Sequence, residues 1–240
     1  MNGLERFRLT MLKQTMNQVS TAGNEISDSV SALISQRLGN VPRHAKRYRT
    51  NFHSKGELLT EMPEITIIAG STGAGKSLMA GALMENLQYR NHQYYSFLEY
   101  IRPIVGDREN GFIQSNNQMM VETILTSNDQ REYIADLINA GCKITMFFIG
   151  TNSPLVNINR VAKRVLLKGK DCEIDKIFSR YFKSIASCIA LMPFIHDLYI
   201  IDNSTDDDSP QLIYRFHNGE LTDEFMKNVP TWAQLFLSKT

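Results

Sequence analysis

The chain has 240 residues, 42% of them hydrophobic, and a formal net charge of +1, which suits one α/β domain of ordinary size with an appendage. Its three cysteines, Cys142, Cys172 and Cys188, lie far apart without a CxxC, and its five histidines show no zinc spacing. This argues against a disulfide framework and suits a reducing cytosol. The longest apolar runs, such as Met146 to Ile149, are too short to span a bilayer, and the N-terminal MNGLERFRLT mixes charges into any apolar stretch, so the expectation is a cytoplasmic chain without membrane contact.

Charge is uneven along the chain. Residues 1 to 60 carry nine Lys and Arg against four Asp and Glu. Within them, Leu4, Phe7, Met11, Leu12 and Val19 recur at helical spacing, as do Ile26, Val30, Leu33, Ile34 and Leu38, with Gly39 placed to end the second helix. A pair of amphipathic helices is expected, forming an N-terminal extension to about residue 60. The segment PRHAKRYRTNFHSK, residues 42–55, has five Lys and Arg and no acid. It reads either as a solvated linker or as an arm contacting nucleic acid, an acidic partner or a phosphate-bearing ligand.

From residue 61 onward the pattern alternates strand and helix. Ile65–Ala69 reads as a buried strand, Lys76 to about Leu87 as a helix, and Tyr94–Leu98 as the next strand. Asp129–Ala140 is a predicted helix, ended by Gly141, and Lys143–Ile149 a buried strand. Ser153-Pro154 opens a helix to about Leu167, Glu173–Leu191 forms another, and Leu198–Ile201 is a further strand running into Asp202-Asn203-Ser204, a turn or helix cap. Asp206-Asp207-Asp208 reads as a solvated loop tip. Such alternation predicts an α/β fold, doubly wound, with a mainly parallel sheet and helices on both faces, and the glycine-rich turn Gly70–Ser77 marks it as a P-loop NTPase.

The stretch Gly70-Ser-Thr-Gly-Ala-Gly-Lys76-Ser77 fits G-x-x-x-x-G-K-S/T between a strand and a helix, the context that this phosphate cradle requires. Gly70, Gly73 and Gly75 let the backbone wrap a phosphate, with Ser71, Thr72 and Ala74 completing the loop and Leu78 the start of the helix. The helix N-terminus adds partial positive charge. Lys76 is expected on the β- and γ-phosphates of ATP and Ser77 on Mg2+. Arg160 and Arg164, four apart, share a helix face and suit a lid, around residues 158–184, that offsets charge on a transferring phosphoryl group. Arg180 is a candidate third member. No strand is recognised that ends in an acid in the manner of a Walker B aspartate, since KITMFFIG ends without one.

The ordered set of Glu122-Thr123, TNSP (151–154), RVAKRV (160–165), RYFKS (180–184) and DNS (202–204), together with the P-loop, resembles the zeta-toxin-like P-loop kinases, including the branch labelled predicted ABC-type ATPase. The resemblance covers about residues 63–205. It implies phosphoryl transfer from Mg-ATP to a hydroxyl of a small molecule, with UDP-N-acetylglucosamine as the zeta-toxin acceptor, and restraint by a separate antitoxin protein. It also implies that Glu122, Thr123 and Arg180 bind substrate.

The chain departs from the family pattern in three places. Leu98 stands where the family has an aspartate beside the acceptor hydroxyl; Glu99 is the nearest carboxylate that can serve as base, with Asp107 a second choice. The lid sequence GGHxVP is here Lys168-Gly169-Lys170-Asp171-Cys172-Glu173. The P-loop has Ser71-Thr72 in place of Pro-Asn. The catalytic set read from sequence is therefore Lys76, Glu99, Arg160 and Arg164. The alternatives are a nucleotide-binding switch that has lost catalysis and a P-loop ATPase doing mechanical work.

Overall fold

The computed structural model describes residues 64–96, 118–139, 142–206 and 210–237. The expected N-terminal helices, the basic arm, Leu98, Glu99 and Asp107 lie outside these residues. The described chain forms strands β1 (Glu64–Ala69), β2 (Gln93–Ser96), β3 (Met119–Thr123), β4 (Lys143–Gly150), β5 (Asp197–Asp202), β6 (Gln211–His217) and β7 (Glu220–Glu224), with helices α1 (Lys76–Glu85), α2 (Asn128–Asn139), α3 (Pro154–Leu166), α4 (Ile174–Leu191) and the short α5 (Thr231–Gln234).

The sheet order is β2-β3-β1-β4-β5-β6-β7. The first five strands in that order are parallel, and β6 and β7 extend the sheet as an antiparallel hairpin. β1 occupies the middle of the parallel part. Its continuous apolar run, with Ile65, Ile67 and Ile68 almost fully buried, is what a strand covered on both faces needs. Ile68, Met120 and Ile149 meet α1 through Ala80 on one face. Ile65, Ile67, Met146, Phe148, Leu198 and Ile200 share the larger core with α2 and α4 on the other. The expected doubly wound, mainly parallel sheet with helices on both faces is thus observed.

Several elements differ from expectation. β3 was not foreseen: Met119-Met-Val-Glu-Thr123 is too short for its periodicity to separate strand from helix. The β6–β7 hairpin and α5 were also unforeseen. β2 begins at Gln93 rather than Tyr94, and only Gln93–Ser96 lies within the described residues. Asp206, of the expected solvated loop tip, is exposed and also pairs with Arg160 and Lys163 at 2.9 and 2.7 Å, and Asp207 and Asp208 lie outside the described residues.

The ends of α3 follow from local chemistry. Ser153 accepts a hydrogen bond from Leu155 N–H at 3.2 Å, and Pro154 occupies the first turn, where its missing N–H costs nothing. The helix stops where Gly169 N–H reaches Arg164 O at 2.9 Å and Lys168 N–H reaches Val165 O at 2.9 Å, with Lys168 left-handed at φ 62. These are the two bonds of a Schellman motif. The LLKGKD stretch is therefore a defined helix end.

At the opposite end of β5 from the P-loop, the Asp197 carboxylate gathers His196 Nδ1 at 2.7 Å, His217 Nδ1 at 3.1 Å and Arg215 at 3.1 Å. Asp197 and His217 face each other across the antiparallel β5–β6 ladder, so the cluster fastens the hairpin to the parallel sheet.

Candidate nucleotide site

Ligands of open α/β sheets bind at the carboxyl ends of the strands. The loop after β1 fills that position. Gly70 and Gly73 have φ of 143 and 83, and a Cβ on either would sit 2.3 Å from Ile149 O or 2.7 Å from Asn157 O. The loop is therefore pressed between the ends of β4 and α3, and only glycine fits at these two points. Ser71, Thr72, Ala74 and Gly75 complete the turn, and Leu78 begins the exposed side of α1.

Two asparagines hold this loop in shape. Asn157 is fully buried; its Nδ2 donates to Thr72 O at 2.9 Å and to Ser71 Oγ, while its Oδ1 accepts from Thr151 Oγ1 at 2.6 Å. Thr151 O in turn accepts from the Tyr181 hydroxyl at 2.6 Å. Asn203 Nδ2 donates to Ala74 O at 2.8 Å, so Asn203 braces the loop rather than merely capping a turn. Sequence reasoning passed over Asn157. Its signal is a polar side chain four residues before Val161, on the one buried stripe of α3.

Lys76 is buried, with Nζ donating to Ser71 O at 3.0 Å and lying 4.0 Å from Glu122 Oε1. Burial pulls its ammonium down to about 8; Glu122 works against this, while the positive charges of Arg164 and Arg180 reinforce it. A buried cation in a glycine-rich loop, with the positive charges of Arg164 and Arg180 near enough to act on it, suits a polyanion. Ser77 Oγ donates to Glu122 Oε2 at 2.9 Å, and the Tyr94 hydroxyl donates to the same oxygen at 2.5 Å.

Glu122 therefore belongs to the P-loop itself. β3 is the neighbour of β1, and its apolar run ends in Glu122 beside Lys76 and Ser77. The strand that the sequence did not reveal thus brings to the P-loop a carboxylate of the kind that KITMFFIG lacks. Ser77 Oγ, held by Glu122, would suit a divalent cation accompanying the phosphates. Thr123 takes a different direction. It pairs with Ala69 of the larger core, is buried, and its Oγ1 accepts from Leu125 N–H at 3.1 Å. Successive strand residues face opposite sides, so the Glu-Thr pair is split, with Thr123 bracing the turn behind β3.

The three arginines also separate. Arg180 Nη1 donates to Thr72 Oγ1 at 3.3 Å and lies 3.2 Å from Cys172 Sγ. Arg164 donates from Nε to Lys170 O at 2.9 Å and feels Lys76 electrostatically. Arg160 uses its whole guanidinium on the loop after β5: Asn203 O at 2.7 Å, Thr205 O at 2.9 Å and Asp206 Oδ1 at 2.9 Å. Beside that staple, a groove of about 470 Å3 is lined by Val156, Asn159, Lys163, Leu166, Ser204 and Asp206. Among the described residues no helix is long and apolar enough to cross a membrane.

No family model and no curated protein sequence matches the chain. Solved structures do. A complex of AvrRxo1-ORF1 with AvrRxo1-ORF2, with sulphate ions, matches at 11% identity over 90% of this chain and 71% of that one, with a TM-score of 0.50. The PezAT chromosomal toxin–antitoxin system of Streptococcus pneumoniae matches at 14% identity over 82% and 88%, with a TM-score of 0.42. The AvrRxo1-ORF1:-ORF2 complex with ATP matches at 11% identity over 90% and 70%, with a TM-score of 0.39. The resemblance to zeta-toxin-like P-loop proteins stands at the level of the fold.

Proposed function

We propose that the chain is an ATP-dependent phosphotransferase of the zeta-toxin type, moving the γ-phosphoryl group of Mg-ATP to a hydroxyl of a small molecule, with a nucleotide sugar such as UDP-N-acetylglucosamine as acceptor. The observation that carries this reading is the convergence of Lys76, Ser77, Glu122, Arg164 and Arg180 on one glycine loop at the carboxyl edge of the sheet. The loop N–H groups and the α1 N-terminus hold the phosphates. Lys76 exchanges its contact with Ser71 O for β- and γ-phosphate oxygens. Ser77, oriented by Glu122, would hold Mg2+, which would supply charge compensation at those oxygens. Arg164 and Arg180 stabilise charge on the group in transit. Arg160 fixes the 203–206 loop against α3, where the groove takes the nucleotide base. Glu99 accepts the proton of the acceptor hydroxyl.

A protein partner belongs to the proposal, because the AvrRxo1-ORF1 neighbour is solved with a second component and the sequence resemblance implies an antitoxin. Residues 42–55 are a second contact candidate, for an acidic partner or nucleic acid. The competing reading is a nucleotide-binding switch, favoured by Leu98 in the family's aspartate position. ADP release from Mg-ATP by the full chain, with and without UDP-N-acetylglucosamine, separates the two. Acceptor-stimulated release that Lys76→Ala and Glu99→Gln both lose supports the kinase. ATP binding without ADP release under any acceptor supports the switch.

A further inference from the structure

Glu122 is reached by three side chains from two other elements at once. Tyr94 on β2 and Ser77 on α1 both donate to Oε2, at 2.5 and 2.9 Å, while Lys76 stands 4.0 Å from Oε1. A carboxylate oxygen offers two lone-pair directions, so Tyr94 and Ser77 fill those of Oε2, and the plane of the carboxyl group is set by the two together. Ser77 alone, a short side chain at the exposed start of a helix, does not fix that plane. Tyr94 comes from a different strand, so its hydroxyl ties the position of β2 to the P-loop. Burial and the neighbouring Glu122 carboxylate push the Tyr94 phenol above its ordinary range, which keeps it a donor. No motif read from the sequence includes Tyr94.

We propose that Tyr94 is a positioning residue for the divalent-cation site: by donating to Glu122 Oε2 it holds the carboxylate against the Ser77 hydroxyl, so that Ser77 spends its proton on Glu122 and turns its free lone pairs toward the metal. The inference rests on the reading that the P-loop binds Mg-ATP. It assigns Tyr94 an effect on metal-dependent nucleotide binding and none on the metal-free form. Hydrogen bonds to charged groups are among the stronger ones, and the same carboxylate is shared, so the effects of Tyr94 and Glu122 are not additive.

The test is ATP binding by the full chain, measured calorimetrically with Mg2+ and with EDTA, for wild type, Tyr94→Phe, Glu122→Gln and the double variant. Phenylalanine keeps the ring and removes only the donor. In Tyr94→Phe, the gain in affinity that Mg2+ confers should shrink roughly tenfold, the half-saturating Mg2+ concentration should rise, and binding in EDTA should match wild type. The double variant should lose no more than Glu122→Gln alone. An undiminished Mg2+ gain in Tyr94→Phe overturns the inference, as does an equal loss with and without Mg2+, which would make Tyr94 a packing residue. A wild-type chain that binds no ATP overturns the P-loop reading along with it, a result distinct from either.

Discussion

Lys76 shows how a single residue's environment carries a functional prediction. Its ammonium is held down to about 8 in the free protein, first by burial, whereas a bound triphosphate favours the charged form. Below about pH 8 the lysine is charged with or without nucleotide, and affinity should be flat. Above it, binding must take up a proton, so affinity should fall by up to roughly tenfold per pH unit until the ordinary lysine range is reached. Calorimetry in buffers of different ionisation enthalpy would detect the uptake, and Lys76→Ala should abolish both binding and its pH dependence. Asn157 makes a second residue-scale case. Asn157→Ala removes the side-chain donor to Thr72 O and Ser71 Oγ in a fully buried position and leaves the Thr151 hydroxyl with Ser153 O at 3.2 Å as its acceptor. We expect a loss of about 2 kcal/mol in urea unfolding, with weaker ATP binding because the loop loses its brace. Neither Asn157 nor Tyr94 was legible in the sequence, since a lone asparagine or tyrosine has no spacing to mark it. Glu122 was legible only through family resemblance, as a substrate residue; its contacts with Ser77, Tyr94 and Lys76 were not.

At the scale of elements, α3 was the most legible: Ser153 and Pro154 mark its start by side-chain chemistry that operates within a few residues. Its end is set by a backbone conformation that the sequence obscures. The left-handed position belongs to Lys168, with the glycine one residue later. A side chain there costs about 1 kcal/mol, so Lys168→Gly should stabilise the protein by about that amount in thermal or urea unfolding, provided that the substitution does not loosen the unfolded chain equally. Strands β3, β6 and β7 were illegible for a different reason. Met119–Thr123 is five residues long, and Glu220–Glu224 is exposed along its whole length with three acids; only pairing with β1 or β6 makes either one a strand. The Arg160–Arg164 pair was correctly placed on one helix. The loops that each arginine meets, Asn203–Asp206 and Lys170, lie outside that helix and split the pair's duties.

At the scale of the molecule, the C-terminal segment closes the structure back onto the site. The Trp232 ring covers Gly150, where a Cβ would lie 2.3 Å from it, and Trp232 Nε1 donates to Asp202 Oδ1 at 2.9 Å. Phe148 and Phe236 flank it. Trp232→Ala should cost about 3 to 5 kcal/mol, lowering the urea midpoint, and should weaken ATP binding through the ends of β4 and β5, which hold Asn203 and Thr151. The sequence by itself determined the phosphate loop, the alternation of strand and helix and the resulting α/β class. These rest on short-range chemistry: glycines where backbone must approach closely, a lysine and a serine at fixed offsets, and apolar periodicity. Only the tertiary structure decided that Glu122 serves the P-loop, that Thr123 does not share its face, that Asn157 and Asn203 brace the loop, and that Tyr94 joins the site. Those contacts link residues from 28 to 129 positions apart, and no local pattern encodes a pairing that exists only after β2, β3, β1, β4 and β5 have been laid side by side.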